Sequence, residues 1–130
     1  MADTGYPTLS PYLYYRDVAG AMDFLSRSFG FTEKMCNQDQ DGTIRHAEMR
    51  YGDAVVMMGG PPDYRNPKDL GGRVTVGLYV HVDDVDAHFE RAKAAGAEVQ
   101  DTPTDQAYGV RSYGVLDPEG HQWWFAQPLA

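Results

Sequence analysis

Apolar residues recur at two spacings along this chain. Between Ala19 and Phe29, the residues Met22, Leu25 and Phe29 fall on one helical stripe with Ala21 beside them. Asp17 stands in N-cap range before this stretch and Gly30 closes it, which predicts an amphipathic helix with both ends marked. From Asp84 to Ala95 the pattern returns in Val85, Phe89 and Ala92, with Asp83 or Asp84 as the cap and Gly96 as the stop. Elsewhere the stretches read as strands: Leu9 to Arg16, Phe31 to Gln38, Ile44 to Tyr51 and Ala54 to Met58, then Val74 to Val82, Ala97 to Thr102, Arg111 to Leu116 and His121 to Ala126. Tight turns are predicted at Gly52-Asp53 and at Asp117-Pro-Glu-Gly120.

Set side by side, the two halves read alike: strand, helix, then three strands. Gly30 and Gly96 stand 66 residues apart, and Met57 and Trp124 stand 67 apart. The chain is thus expected to be one domain over residues 1–130, with a first βαβββ module at 8–60, a connector at 61–72 and a second module at 73–128. The Pro/Gly-rich stretch from Gly59 to Gly72 resists regular structure. A helix on four strands in about 65 residues buries too little apolar surface alone, so the modules should pack together. The expected fold class is α+β, with curved mixed sheets whose helix-free faces line a common cleft.

Composition narrows the function. At 130 residues, with 42% hydrophobic and 23% charged, the chain is an ordinary globular sequence. Its longest aliphatic run, Ala54 to Met58, is far shorter than the roughly 20 residues that span a bilayer, so no membrane association is expected. The start lacks the basic and apolar stretches of a secretory signal, and Cys36 is the single cysteine, which together predict a cytoplasmic location. Eleven basic residues against nineteen acidic ones give a net charge of −8, and no basic cluster exists to displace counterions from a phosphate backbone. No nucleic-acid partner is expected. The acidic balance can attract a cationic ligand, although it also serves solubility. No Gly-rich phosphate loop, HExxH or CxxC spacing occurs.

Several strings, namely Tyr12-Leu-Tyr-Tyr-Arg-Asp-Val18, Ala21-Met-Asp-Phe-Leu-Ser-Arg-Ser-Phe-Gly-Phe31, Val80-His-Val-Asp-Asp-Val85, Ala94-Ala-Gly-Ala97 and Leu116-Asp-Pro-Glu-Gly-His-Gln-Trp-Trp-Phe125, are spread along nearly the whole chain, from Tyr12 to Phe125. With the paired helices they resemble the vicinal oxygen chelate superfamily of glyoxalases, bleomycin-resistance proteins and extradiol dioxygenases. The resemblance implies paired βαβββ modules and a homodimer with clefts formed between subunits. In the enzymes of that superfamily, four side chains from the first and fourth strands of each module hold a divalent metal. Here those positions are Ser10, Met57, Gly77 and Trp124, none of which offers imidazole or carboxylate. The pattern therefore resembles the bleomycin-resistance branch, and neither a metal nor another cofactor is expected.

If those positions point inward, strand alternation sorts the rest. Ser10, Tyr12, Tyr14 and Arg16 then share the cavity face, as do Gly77, Tyr79 and His81, Val55 and Met57, and Gln122 and Trp124. Val76, Leu78, Val80 and Val82 lie under the helix. In the third strand Ala47 and Met49 suit the helix side, which turns His46 and Glu48 inward. The expected ligand contacts are Tyr12, Tyr14, Arg16, Met57, Tyr79, His81, Arg111 and Trp124. Arg111 could equally pair with an acidic residue. These groups suit a flat aromatic or cationic small molecule, such as a drug or metabolite, sequestered without metal. His46 and Glu48 are the candidate catalytic pair, a base and its orienting partner, or else two ligands of a displaced metal site with His81. A metal-dependent lyase, isomerase or dioxygenase of the glyoxalase type and a metal-free enzyme using His46 and Glu48 stand as the alternatives. His88 and His121 read as structural, and Cys36 lacks a neighbour that would activate it.

Overall fold

The computed structural model describes residues 5–130. The chain divides into two compact units, Met1–Ser26 with Gly30–Tyr64, and Arg27–Phe29 with Arg65–Ala130. The first contains β1 (Tyr12–Tyr14), most of α1 (Val18–Phe29), β2 (Thr32–Gln38), β3 (Ile44–Tyr51) and β4 (Ala54–Gly59). The second contains β5 (Gly77–His81), α2 (Val85–Ala94), β6 (Glu98–Asp105), β7 (Val110–Leu116) and β8 (Gln122–Pro128). Each unit holds one four-stranded mixed sheet, in the orders β1-β4-β3-β2 and β5-β8-β7-β6, so the class is α+β. The outer pairs β1/β4 and β5/β8 are parallel, and all others are antiparallel.

The sequence repeat carries through to the register. Tyr12 lies opposite Met57 in the first sheet, and Tyr79 lies opposite Trp124 in the second, each 67 residues further on. Glu48 faces Met57 across β3/β4, and Gly114 faces Trp124 across β7/β8. Glu48 and Gly114 are therefore matching positions with different contents.

Local chemistry explains the ends of the elements. The Asp17 side chain accepts from the Gly20 N–H at 2.9 Å, and Gly30 terminates α1 with φ +81, a left-handed conformation that glycine adopts without a Cβ penalty. Asp84 caps α2 by accepting from Ala87 N–H. The first strand is shorter than the alternation predicts: Pro11 has no N–H, although its carbonyl still accepts from Met57, and Arg16 falls in an exposed bend past the end of the strand. β6 runs three residues beyond its predicted end, with register irregularities at Val99/Asp101 and Asp101/Thr104.

In the second unit α2 packs on β6, β7 and β8, over a core in which Trp123, Phe125, Tyr113, Val115 and Val85 are fully buried. The Trp123 and Phe125 rings stack at 6.1 Å with 4° between their planes, and Phe29 joins them at 5.3 and 4.7 Å. Val76 departs from its expected place under the helix. It precedes β5 and is 69% exposed, because pairing with β8 begins only at Gly77. The Asp-Pro-Glu-Gly string has a structural explanation: the buried Asp117 carboxylate accepts from the N–H groups of Glu119 and His121 and from Trp123 Nε1 at 3.0 to 3.1 Å. It fixes the turn and orients the core tryptophan together. The connector is anchored to that turn through Asn66 Nδ2, which donates to Glu119 Oε1 at 3.1 Å.

Candidate functional site

Two groups of side chains stand out, one in each unit. In the first, β3 alternation puts Ala47 and Met49 on the buried face and turns His46 and Glu48 the other way, beside Tyr12. Glu48 is only 4% exposed. Its Oε2 lies 2.6 Å from His46 Nε2, its Oε1 accepts from Tyr6 Oη at 2.9 Å, and Lys34 Nζ stands 3.7 Å away. Burial raises the carboxyl's pKa, but the bonds from His46 and Tyr6, with the charges of His46 and Lys34, outweigh it and hold Glu48 below its ordinary range. On the far side of the imidazole, Nδ1 is 3.0 Å from Tyr12 Oη. Tyr12, Tyr14 and Tyr64 continue outward as a row of rings with centroids 5.5 and 5.9 Å apart.

In the second unit a pocket of about 520 Å³ is lined by Tyr79, Asp101, Thr104, Gln106, Tyr108, Ser112 and Trp124. Gly114 leaves room for the Trp124 ring beside it: a Cβ there would meet Trp124 Cζ3 at 2.7 Å and Cη2 at 3.0 Å. Trp123, one residue earlier, points into the core with no exposure. Tyr79 bonds with Tyr108, and its phenol pKa is raised, chiefly by burial and then by Tyr108. His81 stands edge-on to Tyr79 at 5.4 Å, outside the pocket lining.

The remaining expected contacts divide. Met57 is half-buried beside Glu48, and Tyr14 is 49% exposed. Val55 is buried rather than open to a cavity. Arg16 lies beyond β1, so strand alternation does not govern it. Arg111 is the clearest departure: it pairs with Asp86 of α2 and Asp105 of β6 at 3.0 Å each, on the face of β7 opposite Ser112. Of its two readings, the acidic pairing holds. Tyr6, Lys34, Tyr64, Tyr108 and the β6 residues went unmarked in the sequence, because they sit in turns and strands whose spacing does not reveal long-range neighbours. So did a cleft of about 570 Å³ between α1 and strands β2 and β3, lined by Met22, Asp23, Glu33, Cys36 and Met49 among others. Burial, with Glu33 adding to it, pushes the Cys36 thiol up, away from the reactive thiolate.

A family model for the Glyoxalase/Bleomycin resistance protein/Dioxygenase superfamily matches residues 8–125. The chain belongs to that superfamily. It is 38% identical over 137 residues to an uncharacterized protein of Mycobacterium bovis, covering 99% of this chain and 88% of the relative. A Mycobacterium tuberculosis relative matches equally, with 79% of its own length covered. Among solved structures, TioX from Micromonospora sp. ML1 is 37% identical, with TM-score 0.79 and coverage of 95% of this chain and 99% of TioX. A bleomycin resistance determinant encoded on transposon Tn5 shares the fold, with TM-score 0.71, 20% identity and coverage of 95% and 99%.

Enzymes of the superfamily imply a metal, and the residues here do not fit one. The relevant positions present a hydroxyl at Ser10, a thioether at Met57, no side chain at Gly77 and an indole at Trp124. Among the described residues, no three His, Cys, Asp or Glu side chains are grouped so that they could hold a metal ion. No helix among them is long and apolar enough to cross a membrane.

Proposed function

We propose that this superfamily member is a cytoplasmic, metal-independent binding protein that sequesters a flat aromatic or cationic small molecule, such as a drug or metabolite, on Trp124. One observation carries the reading: the Trp124 indole, packed against Gly114, lines one pocket together with Tyr79, Tyr108, Ser112 and Asp101. Such a pocket offers stacking area with polar handles, and Asp101 adds a carboxylate for a positive group. The donor set argues against the metal chemistry of the superfamily's enzymes. The superfamily's own description includes bleomycin resistance, which agrees with a binding role.

The test is a thermal-shift screen of flat aromatic compounds, cationic and neutral, on the metal-analysed protein. A ligand at 100 times its Kd stabilises by about 2.7 kcal/mol, and Trp124→Ala should abolish that shift. Stoichiometric bound metal, or a shift that survives Trp124→Ala, would overturn the reading. We also propose a homodimer with clefts formed between subunits, which Tyr12, Tyr14, Tyr79 and Tyr108, each more than 40% exposed in the single chain, would line and leave open to ligand. Sedimentation at micromolar concentration showing only a 14.5 kDa species would refute it.

A further inference from the structure

The first unit holds chemistry that ligand binding on Trp124 does not use. Glu48 is held as a carboxylate, which can only accept hydrogen bonds, so the short contact to His46 requires the hydrogen to sit on Nε2. In the neutral imidazole that arrangement leaves a lone pair on Nδ1, 3.0 Å from Tyr12 Oη. Tyr12 therefore donates its proton inward, and with 43% exposure its ring reaches solvent. Hydroxyl, imidazole and buried carboxylate stand in series, the order in which a base activates a nucleophile and a third group orients the base. Simple satisfaction of the buried Glu48 does not call for Tyr12, since Tyr6, His46 and Lys34 already surround the carboxylate.

We propose that Tyr12, His46 and Glu48 form a metal-free acyl-transfer site whose substrates are aryl esters, with Tyr12 Oη as the nucleophile. As Oη bonds to the acyl carbon, its proton passes to His46 Nδ1, and the imidazolium is held by Glu48. The bond from the acyl carbon to the aryl oxygen breaks, and His46 returns the proton to the departing phenolate. Water, deprotonated by His46, then attacks the acyl-tyrosine; the acid leaves and Tyr12 regains its proton. Ester and water give acid and phenol, with no redox change. The adjoining Tyr14 and Tyr64 rings provide the surface against which the flat part of such a substrate lies.

The chain contains its own control. Tyr79 matches Tyr12 in strand position, opposite Trp124 as Tyr12 is opposite Met57, and is 45% exposed. The positions 66 residues after His46 and Glu48 are Ser112 and Gly114, which supply neither base nor carboxylate.

The experiment treats the full chain with p-nitrophenyl acetate, follows p-nitrophenolate release and maps acetylated residues by peptide mass spectrometry. Tyr12 should acetylate about a hundredfold faster than Tyr14 or Tyr79, the low end of what a positioned base contributes. His46→Gln should bring Tyr12 down to the rate of Tyr14, and Tyr12→Phe should remove the fast release. Wild-type Tyr12 reacting no faster than Tyr14 and Tyr79 would overturn the proposal without any variant. Acetylation confined to Lys34 or His46, or a fast Tyr12 that ignores His46→Gln, would overturn it too. Binding of aromatic compounds on Trp124 is a separate measurement on the other unit, so either reading can fail alone.

Discussion

Acidification between pH 6.5 and pH 4 should cost this protein stability through one side chain, His88. The imidazole is 8% exposed, lies 4.1 Å from the Phe125 ring with 31° between their planes, donates from Nε2 to the Phe29 carbonyl at 2.9 Å and meets Tyr113 Oη through Nδ1 at 2.6 Å. Burial lowers its pKa from 6.5 to about 4, with the Phe29 carbonyl opposing and the Arg91 charge assisting the drop. In the unfolded chain the same histidine takes a proton near pH 6.5. Within that window the unfolded state binds more protons, so folding stability falls as pH falls. Above the window His88 is neutral in both states and adds no slope. At 1.36 kcal/mol per pH unit the full gap amounts to about 3 kcal/mol. Urea unfolding at fixed protein concentration, at several pH values from 7.5 to 4.5, measures it. The comparison is His88→Gln, whose amide can donate to Phe29 and accept from Tyr113 but does not titrate. Glu48, with its pKa lowered, contributes in another window: its stabilisation is complete above the ordinary carboxyl range and is lost only as pH falls through and below it. Equal pH slopes for wild type and His88→Gln down to pH 4.5 would refute the assignment of a buried neutral His88.

Other outcomes follow from the same geometry. Trp123→Ala should lose roughly 3 to 5 kcal/mol in denaturant unfolding, as truncation of a fully buried aromatic does, while Trp124→Ala should lose clearly less; the reverse order would invert the two faces of β8. Gly114→Ala should displace the Trp124 ring and weaken aromatic-ligand binding with little change in unfolding midpoint, read by intrinsic fluorescence and the thermal-shift assay; unchanged binding would show that the ligand does not rest on the indole. Asp117→Ala should cost about 2 to 4 kcal/mol, because it leaves two buried donors and one part-buried donor without their acceptor, and a cost under about 0.5 kcal/mol in urea unfolding would contradict that role.

The fold was legible in the sequence because its signals are local and repeated. Asp17, Gly30 and Asp84 mark helix ends through hydrogen bonds to residues at most a turn away, and β3 runs from Ile44 to Tyr51 as its alternation predicts. Period-two geometry was also enough to separate Trp123 from Trp124 and to place His46 and Glu48 on one face, because successive side chains of a strand must point to opposite sides. Alternation assigns a side but not a neighbour. That Tyr6, 42 residues away, reaches Glu48, that Asp86 and Asp105 take up Arg111, and that Tyr108 stands beside Tyr79 depend on turns and sheet register, which local spacing does not encode. The 67-residue repeat was readable as well, but its consequence was not. Only the pairing of β7 with β8 shows that Gly114 holds the place of Glu48, so one unit buries a carboxylate with its histidine where the other packs a tryptophan against bare backbone.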